Sequence, residues 1–237
     1  MNKKTILILG VSSSIGLPLT KQLLKQDYKI IGQYNNSNKE ILGLKKKYKD
    51  NLVLLKIDFS NQKQILKFLH FIDNDITTLD GLIHLVSPKI NIKPIMKTTW
   101  EEVNQNLEIQ FKSLFLTLKT CIKKLLQSDF KRIIVINSEI ITQKSTTKGF
   151  TAYAIAKSAI DQYLNCLNAE FSDKNIYINQ ISPTMFDSPL LENIPKYVVE
   201  KQQSKSNITP INNIIPKILY LLSNEGIHSK GQNFIVK

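Results

Sequence analysis

The stretch Thr5-Ile-Leu-Ile-Leu-Gly10-Val-Ser-Ser-Ser-Ile-Gly16 decides how the chain is expected to fold. A short apolar run ends in glycine, a serine-rich turn follows, and a second glycine precedes residues with helical apolar spacing. Such a turn can bring backbone N–H groups and a helix N-terminus onto a phosphate. The glycines allow close approach, and the serines add donors and cap the helix. A serine-rich helix cap without a ligand fits this stretch alone equally well.

Strand-like and helix-like segments alternate from this stretch to the end of the chain. The predicted strands are Thr5–Gly10, Tyr28–Gln33, Leu52–Ile57, Gly81–Val86, Arg132–Asn137, Ile176–Ile181 and Gln232–Val236. The predicted helices are Leu17–Gln26, Lys39–Tyr48, Gln62–Ile72, Trp100–Leu126, Thr151–Phe171 and Asn212–Leu222. Several strands are nearly continuous Ile, Val and Leu, which is typical of parallel strands covered on both faces. We therefore predict an α/β fold of the Rossmann type, a doubly wound parallel sheet with helices on both faces.

The whole chain, residues 1–237, is expected to form one domain, because no Pro- or Gly-rich linker divides it. The segment 184–210 departs from the alternation, since it contains prolines and is only weakly periodic. Its apolar side chains include Met185, Phe186, Leu190, Leu191, Ile194 and Tyr197. We predict that this segment is a lid over a partly apolar substrate pocket, with Lys196 and Lys201 available to an anionic substrate. A poorly ordered excursion is the alternative.

The chain is strongly basic, with 32 Lys and Arg residues against 19 Asp and Glu residues and a net charge of +13. A nucleic acid is therefore the first partner to consider. The only dense cluster is Lys45–Lys47 with Lys49, and no aromatic platform for base stacking accompanies the lysines. We interpret the charge as a solvated surface, which also favours a phosphorylated cofactor, and we predict no nucleic-acid partner.

Composition also bears on redox chemistry, metals and membranes. Two cysteines, Cys121 and Cys166, are too few for a disulfide framework or a cysteine zinc site, and we expect both to be buried in a reducing cytoplasm. His84 has no acidic or cysteine partner at ligand spacing, so no metal site is predicted. No apolar run approaches the roughly 18 residues of a membrane span. We expect a cytoplasmic protein without a membrane partner.

Three residues in the second half of the chain have the chemistry of a proton-transfer site. Tyr153 and Lys157 are four positions apart, so they share one helix face. A nearby ammonium favours the phenolate, and lowering a tyrosine pKa from about 10 to about 7 takes on the order of 4 kcal/mol. Ser138 ends a buried strand, where it would point into the ligand crevice. A chance Tyr–Lys pair and a strand-terminating serine are the alternatives.

Taken in chain order, the glycine-containing turn, Ser138, Tyr153 with Lys157, and a strand followed by Pro183 resemble the short-chain dehydrogenase/reductase family. The resemblance covers Thr5 to Val236. It implies a nicotinamide cofactor across the sheet. It also implies that Tyr153 exchanges the proton, that Lys157 binds the ribose and lowers the tyrosine pKa, and that Ser138 orients the substrate oxygen. A homodimer or homotetramer is implied as well.

The resemblance also implies a set of cofactor contacts at the strand ends. These are Gly10, Ser12, Ser13, Ser14, Ile15, Gly16, Tyr34, Asn35, Asn36, Ser37, Asp58, Phe59, Val86, Lys157, Pro183 and Ser188. The stretch Gly32–Ser37 contains no acidic residue, which would bind the ribose 2′-hydroxyl of NAD and repel a 2′-phosphate. We therefore predict that NADP(H) is preferred over NAD(H), with an ordinary polar loop as the alternative.

The chain departs from the family pattern at four places. Ser14 stands where the turn normally has a middle glycine, which predicts weakened cofactor binding, and Thr184 stands where a glycine is usual. The segment His84–Ser87 replaces an Asn-Asn-Ala-Gly stretch. The helix asparagine of the proton relay aligns best with Gln110, and Asn106 is a second candidate.

Two functions follow from these observations. The first is an oxidoreductase that reduces a carbonyl of a small or carrier-linked substrate, with Ser138, Tyr153, Lys157 and Gln110 as its catalytic set. The alternative is a non-catalytic regulatory or scaffold member of the fold with weakened dinucleotide binding, and the altered glycine turn and the altered segment His84–Ser87 motivate it.

Overall fold

The structure, a computed structural model, describes residues 3–36, 39–142, 148–185, 188–194, 197, 200 and 209–237. Its strands are β1 Thr5–Leu9, β2 Lys29–Tyr34, β3 Leu52–Lys56, β4 Gly81–His84, β5 Arg132–Ile136, β6 Tyr177–Pro183 and β7 Asn233–Val236. Its main helices are α1 Gly16–Lys25, α2 Lys39–Lys47, α3 Gln62–Asn74, α4 Trp100–Asn106, α5 Ser113–Gln127, α6 Thr151–Glu170 and α7 Ile211–Leu222. The strands form one sheet in the order β3-β2-β1-β4-β5-β6-β7.

Every strand pairs in parallel with its neighbours, so the predicted doubly wound α/β fold is confirmed. All five residues of β1 are buried, and they alternate between the two faces of the sheet. Ile6 and Ile8 pack with apolar residues of α1 and α7. Leu7 and Leu9 pack with residues of α3, α5 and α6 on the other face. Burial on both faces explains why the strand sequences are continuously apolar.

The predicted helix over Trp100–Leu126 is interrupted by a wider turn. Thr99 caps α4 with a reciprocal Thr99–Glu102 capping box, and a π-helical segment over Leu107–Lys112 joins α4 to α5. Such segments rotate the following residues relative to a regular helix and often occur at functional sites. The segment therefore changes which side chains of this long stretch face the sheet.

The prediction that both cysteines are buried was wrong for one of them. Cys121 is buried in the core, but Cys166 is exposed on α6. No helix in the described ranges is long and apolar enough to cross a membrane.

The carboxyl ends of the strands place the site. The chain leads from β1 to β2 on one side of β1, and after β3 it returns to place β4 on the other side of β1. A crevice opens at such a switch point, outside the carboxyl ends of the strands. Gly10 follows β1 directly, and a Cβ built on it would lie 3.3 Å from the backbone of Leu85, which follows β4.

Candidate active site

The turn after β1 has a conformation that only glycine accommodates at two positions. Gly10 has a φ of +91°, in the left-handed region. A Cβ on Gly16 would lie 2.1 Å from the Gly10 carbonyl oxygen. The buried Gln33 supports the turn, because its Oε1 accepts from the Gly10 N–H at 3.0 Å and its amide donates to the Ile57 carbonyl at 2.6 Å. Gln33 was missed in the sequence, although a glutamine in an apolar strand was a signal.

Backbone donors of this turn are free to bind an anion. The Ser13 hydroxyl accepts from the Gly16 N–H at 2.9 Å and so caps α1. Within the described ranges, the N–H groups of Ser12, Ser14 and Ile15 have no protein acceptor. All three residues line the cleft above the turn. Unpaired N–H groups at a helix N-terminus favour a phosphate at this position.

The cleft has a volume of about 730 Å³ and runs along the carboxyl ends of β1, β2, β4 and β5. It brings together most of the predicted cofactor contacts: Gly10, Ser12, Ser13, Ser14, Ile15, Asn35, Asn36, Asp58, Phe59, Val86, Lys157 and Ser188. Tyr153 lines it as well. Residues from distant parts of the sequence therefore face one cavity of the size of a bound cofactor.

Three predicted contacts have other positions. Gly16 is buried beneath the turn, and its role there is steric. The Tyr34 ring packs against the core and its carbonyl accepts from the Ile57 N–H at 2.8 Å, while Pro183 is buried in β6 beside Val236. Neither is among the described residues that line the cleft. Ser37 lies outside the described residues.

Tyr153 and Lys157 line one end of the cleft, and Ser138 lies next to Tyr153. Burial raises the pKa of Tyr153 to about 12, and the Ser138 side chain opposes that rise. Lys157 Nζ donates to the Ile136 carbonyl at 3.0 Å and lies 5.6 Å from the Tyr153 ring centroid. Burial lowers the pKa of Lys157 to about 7.

The pKa values of Tyr153 and Lys157 determine which of the two can donate a proton at neutral pH. With a pKa near 12, the Tyr153 phenol is protonated at neutral pH and can donate its proton to an oxygen in the cleft. An ammonium has three N–H donors, and one of those on Lys157 is used by Ile136. The remaining donors can bind a hydroxyl group of a ligand near the tyrosine. The arrangement is therefore suited to protonating a carbonyl oxygen as it gains negative charge.

Asn137 is a further residue that sequence reasoning missed. Its side-chain amide donates to Gln180 Oε1 at 2.7 Å and to the Lys157 carbonyl at 3.3 Å. Its Oδ1 is buried without a partner in the described part of the chain, and the residue lines the cleft. A buried unpaired acceptor costs free energy unless a ligand or water satisfies it. A polar residue ending an apolar strand was the available signal.

Gln110 lies in the π-helical segment and is fully buried. Its amide donates to Asn106 Oδ1 at 3.0 Å, and its Oε1 has no partner among the described residues. The neighbouring Ile109, rather than Gln110, is among the described residues that line the large cleft. Asn106 lines a small cavity beside Tyr153. A relay role for Gln110 therefore stays a prediction.

His84 is a packed residue at the end of β4. The Ser113 hydroxyl donates to the Ile109 carbonyl at 2.6 Å, so its oxygen accepts from His84 Nε2 at 3.1 Å. Burial first, and the charge of Lys157 second, lower the pKa of His84 to about 3, so the ring is neutral. The described ranges hold no group of three or more His, Cys, Asp or Glu side chains suited to a metal ion.

The described part of the segment 184–210 lies against the loop that follows β4. The Ile90 N–H donates to the Leu190 carbonyl at 2.9 Å, and Lys89 forms an ion pair with Glu192 at 2.6 Å. At the base of the segment, the hydroxyls of Thr184 and Thr209 are hydrogen-bonded. The predicted lid residues Phe186, Lys196 and Lys201 lie outside the described residues.

Comparisons with known proteins agree with this geometry. The family model described as short chain dehydrogenase matches residues 4–198. The chain belongs to the short-chain dehydrogenase family. The chain is therefore an oxidoreductase of the class that acts on CH–OH and C=O groups with NAD(P).

Similar proteins cover the chain almost completely at low identity. The 3-oxoacyl-[acyl-carrier-protein] reductase FabG of Buchnera aphidicola subsp. Baizongia pistaciae is 26% identical over 236 residues, which are 97% of this chain and 94% of that protein. A dehydrogenase/reductase structure from Sinorhizobium meliloti has a TM-score of 0.85 at 17% identity and covers 100% of this chain and 94% of its own. A putative 3-oxoacyl-reductase structure from Bacillus thuringiensis has a TM-score of 0.80 at 19% identity, covering 99% and 97%.

The residues present fit a nicotinamide dinucleotide. The free N–H groups of Ser12, Ser14 and Ile15 suit a pyrophosphate, and Asn137 Oδ1 offers an unpaired acceptor further along the same cleft. Ser14 is only partly buried and adds a hydroxyl without closing the cavity.

Proposed function

We propose that the protein is an NADP(H)-dependent reductase that acts on the carbonyl group of a small or carrier-linked acyl substrate. The observation that carries the proposal is the position of Tyr153, which lies next to Ser138 and Lys157 and lines the same cleft as the glycine turn. A proton donor and a dinucleotide site on one cavity are what carbonyl reduction requires.

The end of β2 supports the preference for NADP(H). Gln33, Asn35 and Asn36 line the cleft there, and none carries a charge. The nearest lining carboxylate, Asp58 after β3, is engaged locally, because its Oδ1 accepts from the Ser60 N–H at 2.8 Å and from its hydroxyl at 2.7 Å. Amide side chains can donate to a 2′-phosphate, which a carboxylate at this position would repel.

A nicotinamide bound in the cleft would supply the hydride. Tyr153 holds a proton on its phenol oxygen and transfers it to the substrate oxygen as negative charge develops there. The Ser138 hydroxyl orients the same oxygen, since it is within hydrogen-bonding reach of the phenol. Lys157, in its ammonium form, stabilises the phenolate that remains and holds a ribose hydroxyl with its free donors.

The substrate side of the site is apolar. The cleft that Tyr153 lines is also lined by the apolar residues Val86, Ile109 and Leu190. Such a surface suits the carbon chain of an acyl group. The Buchnera relative is a 3-oxoacyl-[acyl-carrier-protein] reductase. A 3-oxoacyl thioester is therefore the first substrate class that we propose.

A substrate panel with a tyrosine variant tests the proposal. NADPH oxidation is followed at the nicotinamide absorbance with 3-oxoacyl thioesters and with small ketones. Tyr153→Phe should lower turnover by about 100-fold or more and leave NADPH binding unchanged, because only the proton donor is lost. Tyr48→Phe is the matched control, because Tyr48 follows α2 and is not among the described residues that line the cleft. Retained turnover in Tyr153→Phe would refute the assignment, and calorimetry that shows binding of neither dinucleotide would favour the non-catalytic alternative.

We also propose that the protein is a homodimer or homotetramer. The side chain of Phe115 is 37% exposed on α5, where it packs with Phe111 of the preceding π-helical segment and with Tyr163 of α6. An exposed aromatic group of this kind suits a subunit contact. Light scattering measures the assembly size, and a monomer at all concentrations contradicts the proposal. Cytoplasmic location stays a prediction.

A further inference from the structure

A second cleft lies at the opposite end of the sheet from the glycine turn, where β1, β4, β5 and β6 begin. We call it the basal cleft; its volume is about 570 Å³, and its lining includes Lys3, Lys4, Asp80, Lys124, Ser128, Asp129, Phe130, Arg132 and Tyr177. The proposed reductase chemistry does not use it. We infer that the basal cleft is a binding site for a small phosphate-bearing anion.

The lining of the basal cleft has more positive than negative charge. Its four basic residues face two carboxylates, those of Asp80 and Asp129. Two of the cations are engaged elsewhere, since Lys3 pairs with Asp27 at 2.6 Å and Lys124 donates to the Asp73 carbonyl at 2.7 Å. The other two, Lys4 and Arg132, have no carboxylate within ion-pair distance in the described ranges.

Arg132 is the buried cation of the cleft. The residue is 3% exposed, and its guanidinium lies between the rings of Phe130 and Tyr177, at 4.7 and 4.2 Å from their centroids. Two of its nitrogens donate to carbonyls, of Phe130 at 2.6 Å and of Ser223 at 3.4 Å. Its Nε has no hydrogen-bond partner in the described part of the chain. A buried charge without a counter-ion is costly, so an anion nearby would stabilise this arrangement.

Lys4 adds a second cation on the same aromatic ring. Its Nζ lies 3.8 Å from the centroid of Phe130, the ring that also contacts Arg132. Burial first, and the charge of Arg132 second, lower the pKa of Lys4, while Asp80 acts in the opposite direction. Lys4 is thus repelled by Arg132, and Asp80 offsets only part of the lowering of its pKa. A bound anion would remove this repulsion.

Neither Asp80 nor Asp129 forms an ion pair with Lys4 or Arg132 in the described ranges. Asp80 Oδ2 accepts from the Thr5 N–H at 2.7 Å and its Oδ1 from the Ser128 hydroxyl at 2.5 Å, so its oxygens hold the start of β1 and the turn before β5. Asp129 is exposed at the rim. Neutral donors also line the cleft, namely Thr77, Thr78, Gln127 and Asn224.

The donor geometry favours a phosphate over a carboxylate. Two of the five guanidinium N–H groups of Arg132 donate to carbonyls, and its Nε–H is among those left for a ligand. The remaining donors are a point charge on Lys4 and hydroxyl and amide groups spread around the cavity. Such a spread suits the tetrahedral oxygens of a phosphate group.

A site-resolved titration of the full-length, cofactor-free protein tests the inference, because the glycine turn also offers a phosphate site. The readout is the Arg132 Nε–H signal in ¹⁵N NMR, assigned by its loss in Arg132→Lys. Inorganic phosphate and glycerol 3-phosphate are the probes, with acetate as the comparison. We expect a saturable shift, weakened about tenfold in Lys4→Gln and unchanged in Lys63→Gln, an exposed control on α3.

The outcomes separate the possible ligands. Binding of inorganic phosphate alone indicates the free ion, and tighter binding of glycerol 3-phosphate indicates a phosphate ester. The inference is overturned if neither probe gives a saturable shift, if Lys4→Gln binds as tightly as the natural chain, or if acetate binds as well as phosphate.

Discussion

Replacement of Lys157 by methionine should remove a pH-dependent cost to the stability of the cofactor-free protein. Lys157 is 2% exposed, and burial lowers the pKa of its ammonium to about 7 from the ordinary 10.5. Between these two pH values the unfolded chain holds a proton that the folded chain has lost. Stability therefore rises with pH across this window, because raising the pH removes a proton that favours the unfolded state.

The size of the effect follows from the same two values. Each pH unit inside the window changes the free energy of unfolding by about 1.4 kcal/mol. With a folded pKa of about 7, the contribution of Lys157 should change by about 2.5 kcal/mol between pH 7.5 and pH 9.5. Lys157→Met has a side chain of similar length without the charge, so this slope should disappear and the variant should be more stable at pH 7.5.

Urea unfolding of both proteins at pH 7.5, 8.5 and 9.5 measures this difference. The contribution of Lys4, whose pKa is also lowered, is common to both proteins and cancels. Measurements stop below pH 10, because the raised pKa of Tyr153 makes stability fall above the ordinary tyrosine pKa. Equal pH slopes in the two proteins would refute the reasoning, since they would show that Lys157 remains charged in the folded state.

Three further changes have defined outcomes. Gly16→Ala should lower the free energy of unfolding in urea by about 2 kcal/mol or more, because its Cβ would lie 2.1 Å from the Gly10 oxygen. The control Gly43→Ala should be neutral or stabilising, because a Cβ on Gly43 would have nothing within 4 Å. His84→Gln should reduce the loss of stability between pH 6 and pH 4 by about 2.5 kcal/mol. With its pKa lowered to about 3, His84 remains neutral in the folded chain, while the unfolded chain takes up a proton. An unchanged acid transition in the variant contradicts this. Asn35→Asp should shift the ratio of NADPH to NADH affinity at least tenfold towards NADH, as measured by cofactor fluorescence, and an unchanged ratio argues against the proposed position of the 2′-phosphate.

The sequence was sufficient for the architecture, because local patterns carry that information. Continuous apolar strands such as Thr5–Leu9 require cover on both faces, and this requirement leads directly to a parallel sheet between helix layers. The order of Ser138, Tyr153 and Lys157 was also readable, since helix periodicity places the last two on one face. The structure brings these three residues together at the cleft end.

The sequence was less informative where the outcome depends on packing. The π-helical segment over Leu107–Lys112 buries Gln110 and directs Ile109 to the cleft, and no spacing rule predicts such a wide turn. Cys166 was expected inside, but it lies on the exposed face of α6. In each case a neighbouring element decides which face of a helix is covered.

Long-range contacts also decided which polar groups are satisfied. Gln33 supports the glycine turn, and Asn137 retains an unpaired acceptor in the cleft. Lys4 and Arg132, far apart in sequence, share the Phe130 ring. Sequence patterns determined the sheet, the glycine turn and the reactive residue types, because those depend on residues close in the chain. Burial, pKa values and unpaired charges were decided only by tertiary structure, because they depend on what the rest of the chain places around each group.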